Sequence, residues 1–327
     1  MGRPRILISQ RLPAEVVEQA RRAAEVDLHQ ADAPMPTADL IRRLQGSAGL
    51  VCLASDKVDA QVLGVPGLAV VANVAVGYNN IDVPAATARG VVVTNTPGVL
   101  DETTADLAFA LLLATARRVV ESDRWVRTGA WRAWAFFDWL GADVHGKTIG
   151  IVGFGRIGQA MARRAKGFGM PVLYTQRRRA DAAVEAALGA RYVDKATLLT
   201  EADYVSLHCP LTPETTHYVD AAALARMKPS AFLVNTARGP VVDEQALAAA
   251  LKAGTIAGAG LDVFEREPAI EPELVGMPNV VLTPHVGSAS TETRVKMARL
   301  AVENCLAVVG GGRPMTPVNP EVLERRA

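Results

Sequence analysis

The sequence has little cysteine: 3 residues in 327, at Cys52, Cys209 and Cys305, far apart and with no C-x-x-C pair. That pattern excludes a disulfide framework and a cysteine-built zinc site, and it fits a reducing compartment. An excess of one charge is also missing. Lys and Arg number 35 against 34 Asp and Glu, for a net charge of +1, with the two signs interspersed. No basic face is implied, so nucleic acid is not expected as a partner. No apolar run approaches the roughly eighteen residues of a membrane span. The first one, Ile6-Leu7-Ile8, is too short for the hydrophobic stretch of a signal peptide. The expected location is the cytoplasm. Internal repeats and low-complexity segments are absent as well.

What is present is a globular chain of 327 residues, 50% hydrophobic and rich in alanine, long enough for two domains. Short apolar runs alternate with amphipathic segments almost throughout. This is the β–α alternation of parallel sheets covered on both faces, so the fold class is α/β with two doubly wound sheets. In a first unit, of residues 1–100, strands are expected at 5–8, 50–53, 69–72 and 90–93, with a helix at 14–24. A second unit opens at Asp101. There the capping-type run Asp101-Glu102-Thr103-Thr104 precedes one long helix over 105–128. Strands follow at 148–152, 171–174, 204–207, 231–234, 258–261 and 280–283, the six of a dinucleotide-binding fold. A helix over 290–309 and a Pro- and Gly-rich tail end the chain; periodicity does not decide which unit that helix joins.

Gly153-Phe154-Gly155-Arg156-Ile157-Gly158 reads G-x-G-x-x-G. The motif is weak alone, and would also suit a turn without a ligand. Here it follows an apolar strand and opens a helical segment, the context in which Gly153 makes a tight turn, Gly155 admits a pyrophosphate and Gly158 packs helix on strand. At the end of the next strand an NAD-binding fold places an acid for the ribose 2′-hydroxyl. This chain has Gln176-Arg177-Arg178-Arg179 instead. Arginines suit a 2′-phosphate that an acid would repel, so NADP(H) is expected over NAD(H), although NAD(H) stays open.

Three polar residues stand just past expected strands: Arg238 in Asn235-Thr236-Ala237-Arg238-Gly239, Glu267 in Phe264-Glu265-Arg266-Glu267-Pro268, and His285 in Thr283-Pro284-His285-Val286-Gly287-Ser288. Singly they would suit a surface ion pair, a solvated loop and a core histidine. Together they complement one reaction, keto-acid reduction. Arg fixes the substrate, His gives a proton to the keto oxygen, and the carboxylate keeps the imidazole charged and oriented. His208 and His217 compete for the proton-donor role. His285 is preferred because Pro284 and Gly287 shape a rigid turn around it.

The motifs at residues 153–158 and 235–239, with Gly260-Leu261-Asp262-Val263-Phe264 and Pro284-His285-Val286-Gly287-Ser288-Ala289, resemble the D-isomer-specific 2-hydroxyacid dehydrogenases over nearly the whole chain. Trp131-Arg132-Ala133-Trp134, Asp143-Val144-His145-Gly146-Lys147-Thr148 and the tail Pro317-Val318-Asn319-Pro320 are most similar to its glyoxylate/hydroxypyruvate reductases, including those that reduce 2-ketogluconate. The resemblance implies a Rossmann cofactor domain, 101–290, inserted into a flavodoxin-like substrate domain, 1–100 with 291–327. It implies an active site in the cleft between domains, a homodimer and a D-hydroxy product; for the reaction itself, closure about hinges near 97–101 and 288–291 is expected to exclude water. Arg238, Glu267 and His285 match the catalytic trio. Val76 and Gly77 match the loop whose backbone amides hold the substrate carboxylate, and Leu53 matches a residue lining that pocket. Trp134 resembles an aromatic that reaches the neighbouring subunit's site. Around the cofactor the resemblance implies Thr104, Cys209, Pro210 and Thr215. It adds Thr236, Ala237, Asp262, Gly287 and Ser288, with Asp262 on the carboxamide and Arg177 and Arg178 at the 2′-phosphate.

Relatives with other activities fit less well. Long phosphoglycerate dehydrogenases carry an extra regulatory domain and a cation in the substrate loop. Formate dehydrogenases replace the Glu with Gln and keep the NAD-type Asp. Phosphite dehydrogenases have Lys at the place of Val76. The alternative from another class is a dinucleotide-sensing binding protein without significant turnover. Such corepressors carry added segments that this chain lacks, and here the trio is complete.

Overall fold

The computed structural model describes residues 2–325. The chain divides into two compact units, Met1–Leu100 with Ala289–Ala327, and Asp101–Ser288. Each is built on one all-parallel sheet.

The first unit has five strands: β1 (Arg5–Ile8), β2 (Glu25–Leu28), β3 (Gly49–Cys52), β4 (Val70–Asn73) and β5 (Val92–Thr94). Their order, β2-β1-β3-β4-β5, is the flavodoxin-like doubly wound order. The central strands β3 and β4 are buried at every position, and apolar except for Asn73, because helices cover both faces. On one face Leu7, Leu50, Val71 and Val93 pack with Leu40 and Leu63. The helix Thr291–Val309 lies against β3, β4 and β5 and buries Met297, Ala298, Ala301, Val302 and Cys305. Ser290 caps its N-terminus. The chain then runs beside β5. Val318 N–H donates to Val93 O at 2.8 Å, and the buried Asn319 accepts from Val93 N–H at 2.8 Å while donating to Val91 O at 3.0 Å.

The second unit has seven strands: β6 (Ile149–Val152), β7 (Val172–Thr175), β8 (Ala190–Tyr192), β9 (Tyr204–Leu207), β10 (Phe232–Asn235), β11 (Gly258–Leu261) and β12 (Val280–Leu282). The order β12-β11-β10-β9-β6-β7-β8 reverses direction between β6 and β9. It is the dinucleotide-binding order with one strand added. Successive residues of a strand face opposite layers. Phe232 and Val234 belong to one core cluster, Leu233 to the other.

Two strands were not expected, β2 and β8. Both stand at sheet edges. Their sequences, Glu25-Val26-Asp27-Leu28 and Ala190-Arg191-Tyr192, are partly solvated and carry charge. An edge strand needs no continuous apolar run, and charge there discourages further pairing. The long helix over 105–128 is two helices, Asp101–Ala116 and Val119–Arg127. They part at Arg118, whose φ of 54° is left-handed and whose guanidinium lies 5.0 Å from the Trp139 ring. The run 101–104 is the first turn of that helix rather than its cap. All three cysteines are buried free thiols. Among the described residues no helix is long and apolar enough to cross a membrane.

Asn319→Ala removes two buried partners of the β5 backbone at once. It is expected to lower the local stability of β5 by about 1–3 kcal/mol. Hydrogen exchange at the Val93 amide reads this directly. Unchanged protection there would show that the tail does not hold β5.

Candidate active site

Because every strand of the second unit runs the same way, the segments after β6, β7, β9, β10, β11 and β12 all emerge at one edge of the sheet. Ligands of open α/β sheets gather at that edge, at the point where strand order reverses. A cleft of about 930 Å³ lies there. Gly153, Gly155, Gln176, Arg177, Arg178, Cys209, Pro210 and Thr215 line it, together with Thr175, His208, Thr212, Glu214 and Tyr218.

Gly153 turns the chain at a φ of 88°, and a side chain there would meet Cys209 N at 2.6 Å. A side chain on Gly158 would overlap the Gly153 carbonyl. One on Gly155 would meet nothing. The glycines therefore do three different things, and the open side of Gly155 is where an anion can approach the backbone. Arg156 and Ile157 form the first turn of the helix Arg156–Gly167, which no side chain caps. Its leading N–H groups and dipole favour a phosphate. Phe154 is core, stacked on Tyr174 at 4.1 Å. Its N–H donates to Gln176 Oε1 at 3.0 Å, so Gln176 braces the loop.

The arginine run divides. Arg177 and Arg178 are exposed on the cleft wall. Arg179 is not among the residues lining the cleft. It grips Glu185 with two bonds of 2.8 and 2.9 Å. Arg179 and the Tyr174 hydroxyl hold the Glu185 carboxyl down at about 2. The sequence sets three like residues side by side; only the acid on the next helix decides which one turns away.

Further along the same edge, Glu267 and His285 meet. His285 Nδ1 lies 2.8 Å from Glu267 Oε2, and the other Glu267 oxygen accepts Phe264 N–H at 3.0 Å. Burial raises the Glu267 pKa, but the His285 contact and the Arg238 charge outweigh it and the net shift is down. The carboxylate therefore stays ionised as an acceptor for Nδ1–H. The two side chains are 39% and 35% exposed, so the pair is reached by solvent. Arg238 follows β10; burial lowers its pKa while the Glu267 charge supports it. An apolar cavity of about 300 Å³, formed partly by Phe264, Ile270, Leu282 and Pro284, adjoins the pair.

Asp262 has a role the sequence did not suggest. Its oxygens accept from Thr283 Oγ1 at 2.6 Å, Val286 N–H at 2.8 Å and Gly287 N–H at 2.8 Å, and its carbonyl accepts His285 N–H at 2.8 Å. It builds the turn that holds His285 at a φ of 55°. A histidine there is uncommon and needs surroundings that impose it. A side chain on Gly287 would meet Asp262 Oδ2 at 3.2 Å and the Thr104 methyl at 3.4 Å, and Ser288 follows on the same turn. Thr236 is 8% exposed, and its hydroxyl oxygen is buried without a hydrogen-bond partner among the described residues. Ala237 is buried beside it. An orphaned hydroxyl, an uncapped helix and an open glycine together fit a bound dinucleotide.

The competing histidines are placed otherwise. His208 bonds Ser206 Oγ at 2.8 Å, and withdrawal from solvent lowers it to about 4. It is neutral near pH 7 and unsuited to give a proton. His217 pairs with Glu265 at 2.5 Å, which raises its pKa. Trp134, 76% exposed, stands in a segment with exposed Trp131, Phe136 and Phe137. Among the described residues no group of three or more His, Cys, Asp or Glu side chains could hold a metal ion.

In the first unit Leu53, Val76 and Gly77 sit just past β3 and β4 at the carboxyl edge of that sheet. Leu53 N–H donates to Asp56 Oδ2 at 2.8 Å, and its carbonyl accepts from Asn80 at 3.1 Å.

Residues 109–287 match the family model of the D-isomer specific 2-hydroxyacid dehydrogenase NAD binding domain. The chain belongs to this family. It is 53% identical over 329 residues to a glyoxylate reductase of Korarchaeum cryptofilum, covering 99% of this chain and 98% of that one. It is 50% identical over 326 residues to a glyoxylate reductase of Thermococcus litoralis, 98% of each. Among solved structures it is similar to an NADPH-dependent glyoxylate/hydroxypyruvate reductase from Sinorhizobium meliloti in complex with NADP and malonate. That match has a TM-score of 0.86 and 39% identity, covering 97% of each chain.

For a 2-hydroxyacid dehydrogenase, several residues named by the structure carried no separate signal in the sequence. Glu244 reads as a first-turn helix acid, yet it is 4% exposed and its carboxylate accepts the N–H groups of Glu265 and Glu271, fastening the loop that bears Glu267. Tyr218 and Thr212 line the cleft from a loop with no motif.

His208 gives a test of this electrostatic assignment. Its folded pKa lies below the usual value of 6.5, so the unfolded chain takes up the proton first. Its stability contribution is full above about pH 6.5 and is lost as pH falls towards 4. NMR titration is expected to show the ring neutral until near pH 4; titration near 6.5 would place it in solvent.

Proposed function

We propose that this protein is a glyoxylate reductase that prefers NADPH, reduces hydroxypyruvate as well, accepts 2-ketogluconate, and gives D-2-hydroxy acids. The observation that carries the reading is the His285–Glu267 pair, 2.8 Å apart, on the same sheet edge as the glycine-rich cleft. The names of the archaeal relatives support the substrate, and the Sinorhizobium complex supports the cofactor.

In this reading the unit of residues 101–290 is the cofactor domain, and 1–100 with 291–327 the substrate domain. The loop at Gly153, Gly155 and Gly158 and the start of the following helix take the pyrophosphate, and Arg177 and Arg178 take the 2′-phosphate. Thr236, Ala237, Cys209, Pro210, Thr215 and Thr104 surround the rest, with Gly287 and Ser288 at the nicotinamide end. Asp262 has three of its roughly four acceptor sites occupied by the His285 turn, leaving one for the carboxamide. When bound, reduced nicotinamide supplies the hydride for the keto carbon. Arg238 holds the substrate, and Val76 and Gly77 N–H groups take its carboxylate beside Leu53. His285 gives the Nε2 proton to the keto oxygen. Glu267, kept ionised, accepts from Nδ1 and so fixes the orientation of the ring. The exposed aromatic segment around Trp134 supports a homodimer in which that ring serves the neighbouring site.

The assay is nicotinamide oxidation with glyoxylate, hydroxypyruvate and 2-ketogluconate, NADPH and NADH in parallel. Rapid NADPH-linked turnover is expected; dinucleotide binding with no turnover would mark a sensor instead. His285→Ala is expected to lower kcat by about 10²–10⁴ with NADPH affinity retained; near-normal turnover would remove His285 from the mechanism. Arg177→Ser with Arg178→Ser is expected to raise the NADPH KM by about ten-fold or more and leave that for NADH unchanged. An unchanged ratio would place the 2′-phosphate elsewhere.

A further inference from the structure

The segment after β4 shows an ordered backbone arrangement whose purpose no motif states. Three consecutive carbonyls are each held by a different donor. Ala75 O accepts Thr96 N–H at 2.9 Å, Val76 O accepts Asn95 Nδ2 at 2.8 Å, and Gly77 O accepts Asn73 Nδ2 at 2.9 Å. These peptides are trans, the sole cis bond among the described residues being Glu267-Pro268. In a trans peptide the N–H points opposite to the C=O. Fixing the three carbonyls therefore aims the N–H groups of Val76, Gly77 and Tyr78 away from the donors. Among the described residues none of those three N–H groups donates to the protein. Successive unspent backbone N–H groups form a site for an anion.

Both asparagines are themselves fixed. Asn73 is fully buried at the end of β4, and its amide meets Asn80, which donates to the carbonyls of Leu53 and Asp56 at 3.1 and 3.0 Å. The loops after β3 and β4 thus share one network. Asn95 follows β5, where the C-terminal tail grips it: Thr316 Oγ1 donates to Asn95 O at 2.6 Å, and Asn95 N–H donates to Thr316 O at 3.3 Å.

We infer that Asn95 and Asn73 are positioning residues that aim a row of three N–H groups, Val76, Gly77 and Tyr78, at the substrate carboxylate. The inference rests on the reading that this loop takes the carboxylate, and it adds the Tyr78 N–H as a third donor. It also gives the C-terminal tail a role in substrate binding, exerted through Asn95.

The test is steady-state kinetics on the full-length enzyme, varying glyoxylate and NADPH in turn. Asn95→Ala releases the Val76 carbonyl and is expected to raise the glyoxylate KM by about ten-fold, the worth of one such hydrogen bond. The NADPH KM and the melting temperature stay as in wild type. Asn95→Asp carries a donor only while protonated. Its glyoxylate KM is expected close to wild type at low pH and to climb as the carboxyl ionises, a profile absent from wild type. A merely structural role predicts loss of melting temperature or a rise in both KM values, without that pH dependence, and would overturn the inference. Gly77→Pro deletes one N–H of the row and separates the two levels. An unchanged glyoxylate KM in that variant would mean the loop does not take the carboxylate. A raised KM there, with both Asn95 variants like wild type, would leave the loop in place and refute the clamp.

Discussion

A parallel strand cannot reach its neighbour by a tight turn; it needs a crossover, and every crossover leaves from the same edge. In each unit this one constraint brings together segments distant in sequence. In Asp101–Ser288 it collects the glycine loop, the arginines, Arg238, Asp262 and His285 at the carboxyl ends of five strands. In the first unit it collects Leu53, the 74–78 segment and Asn95 at the ends of three. The helices that cover both faces make the strands mostly apolar, so most polar residues of the protein's chemistry are left to the edge.

At those edges, buried polar side chains give the loops their shape. Asp262 spends its carboxylate on the turn of His285, Glu244 on the loop of Glu267, Gln176 on the glycine loop, and Asn73 and Asn95 on the segment of Val76. A buried polar group left without a partner is costly, so each network has one satisfied arrangement and holds its loop in it. The same logic sorts the histidines. His285 is oriented by the Glu267 carboxylate, whereas His208, bonded to Ser206, has its pKa lowered by burial to about 4 and is kept neutral.

Much of this was legible beforehand. The apolar runs of ten of the twelve strands and the start of the terminal helix at Ser290 follow from local pattern. So does the glycine loop, since each glycine answers a steric need of the turn itself. The edge strands β2 and β8 did not show, because their partly solvated sequences lack the apolar run that marks a buried strand. The break at Arg118 did not show either; helical spacing continues through it, and its partners Glu121 and Trp139 are brought to it by the fold.

The sequence by itself determined the fold class, the glycine-rich loop and the three residues proposed as the catalytic trio, because these depend on periodicity and on residue types with few other uses. The tertiary structure decided which of three adjacent arginines faces the cleft, which histidine stays neutral, and which carboxylates shape loops. Those outcomes depend on distances of a few ångströms between residues on different elements: Arg179 to Glu185 on the next helix, Asp262 to Gly287 across a strand crossover, and Asn95 to Thr316 across most of the chain's length. Local pattern carries no record of such distances.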